Sequence, residues 1–211
     1  MTFKKSIISV FLFPVFFFSS LDLALTNPIQ DYSLTSSEQH QVFNFFVEIP
    51  AGTNQKWEVD KASGELGWEI KDGVRRTVKF LPYPGNYGFL PQTMGGDDDP
   101  LDVIDLEPSS DRGVIKATRI IGGMYFKDGK DEDVKLIGIS PDGIFSSYLD
   151  ISTLLLEKPA ALELVKLWFE SYKKPGKMIF YKYLSLEESL NLIAESHKRW
   201  VLGNPPKINS N

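Results

Sequence analysis

The stretch QVFNFFVEIP, residues 41–50, is the first part of the chain with a clear β-strand pattern. Its apolar side chains at alternate positions are Phe43, Phe45, Val47 and Ile49. Successive side chains of a strand point to opposite faces, so this spacing predicts a strand with one face in a core.

More strand-like stretches follow, separated by turns rich in Gly, Pro and Asp. They are KWEVDK (56–61), RTVKFLP (76–82), LDVIDL (101–106), GVIKATRIIGGMYF (113–126) and DVKLIGIS (133–140). With the first stretch they make the chain mainly β over its central part.

The C-terminal third changes to helical spacing. Apolar residues recur every three or four positions in residues 157–174, which predicts one helix. A second helix is predicted to begin at Ser185, with Glu188 completing a capping box, and to stop at Gly203. Short strands followed by two helices predict a closed or nearly closed β-barrel with helices packed outside.

The N-terminus has the layout of a secretory signal peptide: two lysines, an apolar run, then small and polar residues. We expect a signal peptide over 1–26, an exposed arm over 27–40, a single domain over 41–204 and a tail over 205–211. Export to the periplasm or outside the cell follows from this. The apolar run is short for a membrane span and contains Pro14, so we expect no stable membrane anchor, although an uncleaved anchor or a misassigned start remains open.

Composition excludes several kinds of chemistry. The chain has 211 residues, a formal net charge of −5 and no Cys, so thiolate catalysis and Cys-based zinc sites are absent. A net negative chain is a poor nucleic-acid binder, because phosphate-backbone contacts need clustered Lys and Arg. The two histidines, His40 and His197, lie outside any motif that would make them a catalytic base.

Carboxylates are the chemistry that remains, and GGDDDPLDVIDLEP (95–108) holds five aspartates within nine positions. Two carboxylates about 5 Å apart repel by roughly 3 kcal/mol at an effective dielectric of about 20, so such a cluster needs protons, cations or open water. Strand parity lets Asp102 converge with Asp97 and Asp99 from the preceding turn. A solvated acidic turn is the alternative.

A second acidic stretch, KDGKDEDVKL, contains Asp133 and Lys135 near its end. These two residues share one face of a predicted strand. Carboxylates beside a lysine suit a divalent cation that carries phosphate, because Mg²⁺ is held by few carboxylates, several waters and the substrate's own phosphates. The lysine would bind an anionic oxygen that the metal leaves uncovered.

Further cations and phenols lie upstream and in the first predicted helix. They are Arg75, Arg76, Tyr83 and Tyr87, then Tyr172 and Lys173. Each has an ordinary alternative: aromatic residues at this density commonly pack in a core, and a lysine can complement a helix C-terminus.

Six spaced blocks together resemble the soluble family I inorganic pyrophosphatases. They are VEIPAG (47–52), KWEVDK (56–61), YPGNYGF (83–89), DDDPLDV (97–103), KDEDVKL (130–136) and FESYKK (169–174). The resemblance implies an OB-like, five-stranded closed barrel with two C-terminal helices. It also implies hydrolysis of inorganic diphosphate by metal-activated water at several Mg²⁺ ions, and assembly into a homo-oligomer, a hexamer in bacterial relatives.

The resemblance also implies roles for individual residues. Metal ligands would be Asp97, Asp102, Asp133, Asp128 and Glu48, with Asp99 activating the attacking water. Substrate contacts would be Lys56, Arg75, Tyr87, Lys135, Tyr172 and Lys173, supported by Glu58 and Tyr83. No side-chain nucleophile is required, which agrees with the missing cysteines.

Two features depart from the family pattern. Gly129 stands where bacterial members often carry a second acidic residue, which affects the outermost metal more than the reaction. The signal-like N-terminus is the second departure, because members of the family are generally cytoplasmic. A cytoplasmic location is therefore the alternative to export.

Two other functions are compatible with the residues alone. One is a Mg²⁺-dependent nuclease or phosphodiesterase, because PLD (100–102) and DVK (133–135) loosely imitate such a site. The other is a non-catalytic exported module that binds cations.

Overall fold

The structure, a computed structural model, describes residues 26–35 and 41–204. Nearly all of the expected signal peptide and the whole expected tail lie outside these residues, and both stay predictions. The strands are β1 (Val42–Ile49), β2 (Trp57–Val59), β3 (Leu66–Trp68), β4 (Ile70–Lys71), β5 (Val74–Arg75), β6 (Asn86–Phe89), β7 (Asp102–Asp105), β8 (Ile115–Asp128), β9 (Asp131–Ile139) and β10 (Met178–Leu184). The helices are α1 (Ile151–Glu157), α2 (Pro159–Ser171) and α3 (Leu186–Gly203).

Five strands close into a ring in the order β1-β6-β7-β9-β8, because β1 pairs with both β6 and β8. All pairings in the ring are antiparallel except β7 with β9, which is parallel. β10 adds to the outer edge of β8. The predicted mainly β architecture with a closed five-stranded barrel and two C-terminal helices is confirmed.

The strands of the ring are covered on both faces. Val103 and Ile104 are neighbours on β7, so they point to opposite faces, yet both are fully buried. Ile104 belongs to a cluster with Phe169 of α2, whereas Val103 belongs to a cluster with Ile193 of α3. The helices therefore cover apolar surface that a lone barrel would expose to water.

The second face of β1 is also buried, which its alternating pattern did not indicate. Phe46 packs with Val59 of β2 and Phe89 of β6, and Glu48 is only 7% exposed. A register irregularity lies between Val47 and Ile49, where β1 pairs with β6. The strand thus brings a carboxylate under the cover of the β2–β3 hairpin.

Several local expectations were wrong or incomplete. Residues 76–82 do not form a strand: Thr77 makes only an isolated bridge with Gln55, and the Asn54 side chain donates to the carbonyls of Val78 and Phe80. The arm over 27–40 is not uniformly exposed where it is described, since Leu34 is buried in the core. β3, the β4–β5 hairpin, β6, α1 and β10 were not predicted.

The two predicted helices are present as α2 and α3. Ser185 caps α3, its hydroxyl accepting from the Glu188 amide while the Glu188 side chain accepts from the Ser185 amide. In the two described ranges, no helix has the length and apolar character needed to cross a membrane.

Close packing inside the ring makes Gly88 a sensitive position. A Cβ on Gly88 would overlap the Phe46 carbonyl oxygen and lie 3.0 Å from the Glu48 nitrogen, both backbone atoms of β1. We expect Gly88→Ala to lower the free energy of unfolding by roughly 1–3 kcal/mol, the cost of overpacking, in urea denaturation. Gly67→Ala is the matched control, because nothing lies within 4 Å of its Cβ; equal stabilities of the two variants would contradict the prediction.

Candidate active site

A cavity of about 670 Å³ opens at one end of the barrel, between β1, β2, β6, the loop before β7 and the β8–β9 hairpin. Eight of the residues predicted from the sequence line it: Glu48, Lys56, Glu58, Tyr87, Asp97, Asp99, Asp102 and Asp133. The described lining contains no Ser, Thr, Cys or His side chain. Its chemistry is therefore that of carboxylates, lysines and a phenol.

Lys135 lies at the buried end of this cluster and joins three strands. Its Nζ forms ion pairs with Asp102 and, at 2.5 Å, with Asp133 Oδ1, and it donates to the Tyr87 hydroxyl at 3.2 Å. The parallel register of β7 and β9, with Val103 opposite Leu136, brings Asp102 beside Lys135. Asp133 and Lys135 share one face of β9 as predicted, and Asp102 of β7 joins them there.

Charges and burial together set the protonation of this group. Burial alone would lower the pKa of Lys135, but the carboxylates of Asp102 and Asp133 raise it overall, so the ammonium stays charged. Burial raises the pKa of Asp133, with the charge of Asp102 adding to it and Lys135 opposing it. Burial and the same two aspartates raise the pKa of Tyr87 well above its usual value, so the phenol stays neutral.

A second set of charges lies on the opposite wall. Glu48 accepts from the Val59 amide at 2.8 Å, and Lys56 pairs with Glu58 at 2.6 Å. The Lys56 ammonium also lies 5.4 Å above the Tyr87 ring, within range of a cation–π contact. This places the lysine between two carboxylates and an aromatic face.

The loop before β7 brings in the remaining acidic residues. The Asp99 amide donates to Asp97 Oδ1 at 3.2 Å, and Lys61 pairs with the Asp99 carboxylate and donates to the Asp98 carbonyl at 3.2 Å. Asp98 has φ +63° and does not line the cavity. Its two neighbours in the acidic run, Asp97 and Asp99, do line it.

Asp105, the fifth aspartate of the run, belongs to the core. It is fully buried and paired with Lys116 at 3.2 Å and with the Thr118 hydroxyl at 3.0 Å. Its charge is compensated there and is not available to the cavity.

Asp128, Tyr172 and Lys173 form a neighbouring group that does not line the cavity. Lys173 and Lys177 hold Asp128 at 2.5 and 3.0 Å, and Tyr172 stacks on Trp168 with ring centroids 4.7 Å apart. Burial would raise the pKa of Asp128, but the two lysines lower it overall. Gly129 follows with φ +69° in the two-residue turn of the β8–β9 hairpin, a conformation that explains glycine at this position.

The two arginines differ in position. Arg75 is exposed and lies 5.1 Å from the Trp68 ring, whereas Arg76 is half-buried and donates to Glu69 at 2.7 Å. Burial lowers the pKa of Arg76, but the hydrogen bond and charge of Glu69 raise it overall, with further contributions from Tyr172 and Tyr83. Tyr83 is itself buried against Trp168, with ring centroids 4.3 Å apart.

Sequence reasoning missed Lys61 and did not assign Arg76. Lys61 ends the block KWEVDK, and strand parity over the whole block would put it on the face opposite Lys56. Because β2 ends at Val59, that parity no longer applies at Lys61. Only the contact with Asp99 shows where its ammonium lies.

The residues fit a hard divalent cation by their chemistry. In the part of the chain that the structure describes, no three carboxylates or histidines are already grouped as a metal site. Lysines lie against the carboxylates, Lys135 on Asp102 and Asp133, and Lys61 on Asp99. The donors are nonetheless all oxygens, and Mg²⁺ needs only one or two carboxylates when waters and substrate phosphates complete its shell.

Comparison with known proteins agrees with this site. The family described as Inorganic pyrophosphatase matches residues 45–201. The inorganic pyrophosphatase of Campylobacter jejuni is 35% identical over 139 residues, covering 64% of this chain and 78% of that protein. That of Eremothecium gossypii is 31% identical over 202 residues, covering 83% of this chain and 70% of its own length.

Solved structures show the same fold. A truncated vacuolar soluble pyrophosphatase of Trypanosoma cruzi, crystallised with PPi, superposes with a TM-score of 0.76 at 27% identity, covering 82% of this chain and 78% of that one. The enzyme from Thermus thermophilus gives a TM-score of 0.72 at 24% identity, over 83% and 99% of the two chains. The barrel and its carboxylate-lined mouth define a soluble-pyrophosphatase type of fold, and this chain belongs to the inorganic pyrophosphatase family.

Burial of Glu48 leads to a test on the metal-free protein. Burial raises its pKa from 4.5 to about 8, although Lys56 and the Val59 amide oppose the shift. A carboxyl with a raised folded-state pKa stabilises the fold below its unfolded pKa, and loses that contribution as pH rises through the folded value. We therefore expect the free energy of unfolding of wild type to fall, relative to that of Glu48→Gln, as pH rises from about 5 to about 8. Urea denaturation in the presence of a chelator measures this difference. Parallel stability curves of the two proteins over that range would contradict it.

Proposed function

We propose that this chain hydrolyses inorganic diphosphate to two phosphate ions, with water as nucleophile and divalent cations, Mg²⁺ above all, as cofactor. The family match over residues 45–201 carries this conclusion. The cavity supports it, because predicted metal ligands and predicted phosphate-binding lysines line or adjoin the same space. Neither a nuclease nor a non-catalytic cation-binding module gains support from the family or the site.

The carboxylates divide into two roles. Asp97, Asp102 and Asp133 would hold the principal cations at the cavity, with Asp99 beside them to orient and deprotonate the attacking water. Glu48 and Glu58 would support cations on the opposite wall, and Asp128 a cation that arrives with the substrate. Divalent cations, when bound, lower the pKa of coordinated water and balance charge on the attacking and leaving oxygens.

The cationic and phenolic groups would bind the anion. The ammonium groups of Lys56 and Lys135 lie 5.4 and 5.5 Å from the centroid of the same Tyr87 ring, so both adjoin the space in which the anion would bind. Tyr172 and Lys173 would extend this set from the end of α2. As the bridging P–O bond breaks and water oxygen bonds to phosphorus, these groups stabilise charge that grows on the departing phosphate.

The net negative charge of the chain is compatible with an anionic substrate. The charge is −5 overall, yet at least three lysines, Lys56, Lys61 and Lys135, lie at or beside the cavity. Diphosphate accompanied by Mg²⁺ also carries less negative charge than diphosphate alone. Binding of diphosphate at this cavity does not require a basic surface of the kind that binds nucleic acid.

Two further expectations stay predictions. Assembly as a homo-oligomer, a hexamer by resemblance, was inferred from relatives alone. Export was inferred from residues 1–26, and the cytoplasmic location usual for the family is its alternative.

Phosphate release from diphosphate with Mg²⁺, compared with nucleotide and DNA substrates, tests the function. Asp102→Asn removes a charge from the Lys135 cluster while keeping the side-chain size. Loss of an outer-shell partner of a metal site alone costs up to about 100-fold, so we expect loss of a ligand to lower kcat/KM by about 100-fold or more. Asp98→Asn is the control: it belongs to the same acidic run, lies outside the cavity lining, and asparagine tolerates its positive φ.

We expect the control to keep near-wild-type turnover and both variants to keep the wild-type circular dichroism spectrum. Absence of phosphate release by folded wild type would overturn the function. Similar activities of the two variants would overturn the role of Asp102.

We propose that Arg76, and not Arg75, contacts the substrate, because Arg76 is half-buried whereas Arg75 is exposed. We expect Arg76→Gln to lower kcat/KM by about tenfold or more, since a hydrogen bond to a charged group is worth about 1.5–3 kcal/mol, whereas Arg75→Gln changes it little. Steady-state kinetics on the two variants decides between them. A larger loss for Arg75→Gln would return the role to Arg75.

A further inference from the structure

The loop between β6 and β7 carries Asp97 and Asp99 but is not part of the sheet. Asp102 is held by strand pairing, with Phe89 opposite it on β6. Asp97 and Asp99 instead sit on residues 95–99, where the Gly95 amide donates to the Asp99 carbonyl at 2.6 Å. The Thr93 hydroxyl ties the loop to the residue before β7 by accepting from the Leu101 amide at 2.9 Å, and Lys61 pairs with Asp99. The remaining support for Asp97 and Asp99 comes from whatever holds the residues just before Gly95.

Helix α3 fixes that start through Met94. Arg199 Nε donates to the Met94 carbonyl at 2.9 Å, and the Met94 amide donates to the Ser196 carbonyl at 3.1 Å. Both polar backbone groups of the residue just before Gly95 are thus bonded to α3. Arg199 Nη2 also donates to the Ser196 hydroxyl at 2.8 Å, and Ser196 is fully buried.

A second contact from α3 lies two residues earlier in the loop. His197 Nδ1 is 2.8 Å from the Gln92 carbonyl, and a carbonyl only accepts, so Nδ1 carries the proton. Gln92 has φ +54°, an unusual conformation for a residue other than glycine. The helix thus holds the loop at residues 92 and 94, directly before Gly95 and Gly96.

The guanidinium geometry suits this task. Arginine offers several donors in a rigid fork, so one side chain can bond a loop carbonyl and a helix hydroxyl together. Arg199 is half-buried, and α3 also contributes Leu192 to the cavity wall. The same helix thus forms part of the cavity and holds the loop that carries two of its carboxylates.

We propose that Arg199 is a positioning residue for divalent-cation binding: through Met94 it sets where Asp97 and Asp99 lie relative to Asp102, without touching substrate. This rests on the proposed function of those carboxylates. Partners that orient metal ligands typically change metal affinity when removed, and active sites tolerate little misplacement of catalytic groups.

The test measures Mg²⁺ binding to the substrate-free protein by isothermal titration calorimetry, well below the unfolding temperature. We expect Arg199→Gln to weaken Mg²⁺ binding about 10-fold to 100-fold, as loss of an outer-shell partner does. Arg199→Lys keeps one donor for the Met94 carbonyl and should lie between this variant and wild type. Lys198→Gln, on the exposed neighbour, is the matched control and should bind as wild type does.

Two more readouts separate positioning from a purely structural role. Amide hydrogen exchange at residues 93–99 should speed up in Arg199→Gln while exchange in β7 stays unchanged. The diphosphate KM at saturating Mg²⁺ should stay close to wild type while the Mg²⁺ concentration needed for half-maximal rate rises.

Wild-type Mg²⁺ affinity in folded Arg199→Gln, or in Arg199→Lys if the first variant does not fold, would overturn the proposal. Equal weakening in Lys198→Gln would overturn it as well. A wild-type protein that binds Mg²⁺ yet releases no phosphate would overturn the proposed function and leave the positioning role standing. Failure of wild type to bind Mg²⁺ would overturn both.

Discussion

The buried ammonium of Lys135 is the interaction on which the rest of the site depends. It lies between Asp102 and Asp133 and bonds Tyr87, so side chains of three strands meet at one charge. Without it, two carboxylates would face each other at the end of an apolar barrel. Removing one partner of a buried ion pair commonly costs about 3–5 kcal/mol, since the remaining charge is left without compensation. The lysine thus lets the fold keep acidic groups close together before any cation is present.

The same requirement shapes the opposite wall. Glu48 would point into the solvent if β1 had one exposed face, but the β2–β3 hairpin covers it. A carboxyl buried in this way is satisfied by the Val59 amide and by the nearby charge of Lys56. Asp99, Asp102 and Asp133 thus each have a lysine within reach, and Glu48 has the Val59 amide. The eight carboxylates that line the cavity still outnumber its lysines, so the site keeps a net negative charge that cations can balance.

Sequence patterns predicted the parts that depend on local spacing. The parity of Asp102 and of Asp133 with Lys135 follows from strand geometry, and the limits of α2 and α3 follow from periodicity and a capping box. Short or edge elements were missed: α1 has seven residues, too few to show a period, and β10 pairs on one side only. Contacts made across the fold, such as Lys61 with Asp99 or Arg199 with Met94, leave no local signal because the partners are far apart in the chain. Arg75 and Arg76 are neighbours, and only the fold shows that Arg75 is exposed while Arg76 is half-buried against Glu69.

The ring of strands closes where β1 meets β8, about seventy residues later in the chain, as in the pairing of Phe45 with Lys116. Tyr87, Asp102 and Lys135 come from separate strands, and the parallel β7–β9 pair is itself formed across a long connection. Pairings between distant segments carry a large loop-closure cost and form slowly. No contiguous fragment shorter than nearly the whole barrel contains the cavity, because its walls come from β1 through the β8–β9 hairpin. The complete cavity is therefore a property of the closed topology and not of any single motif.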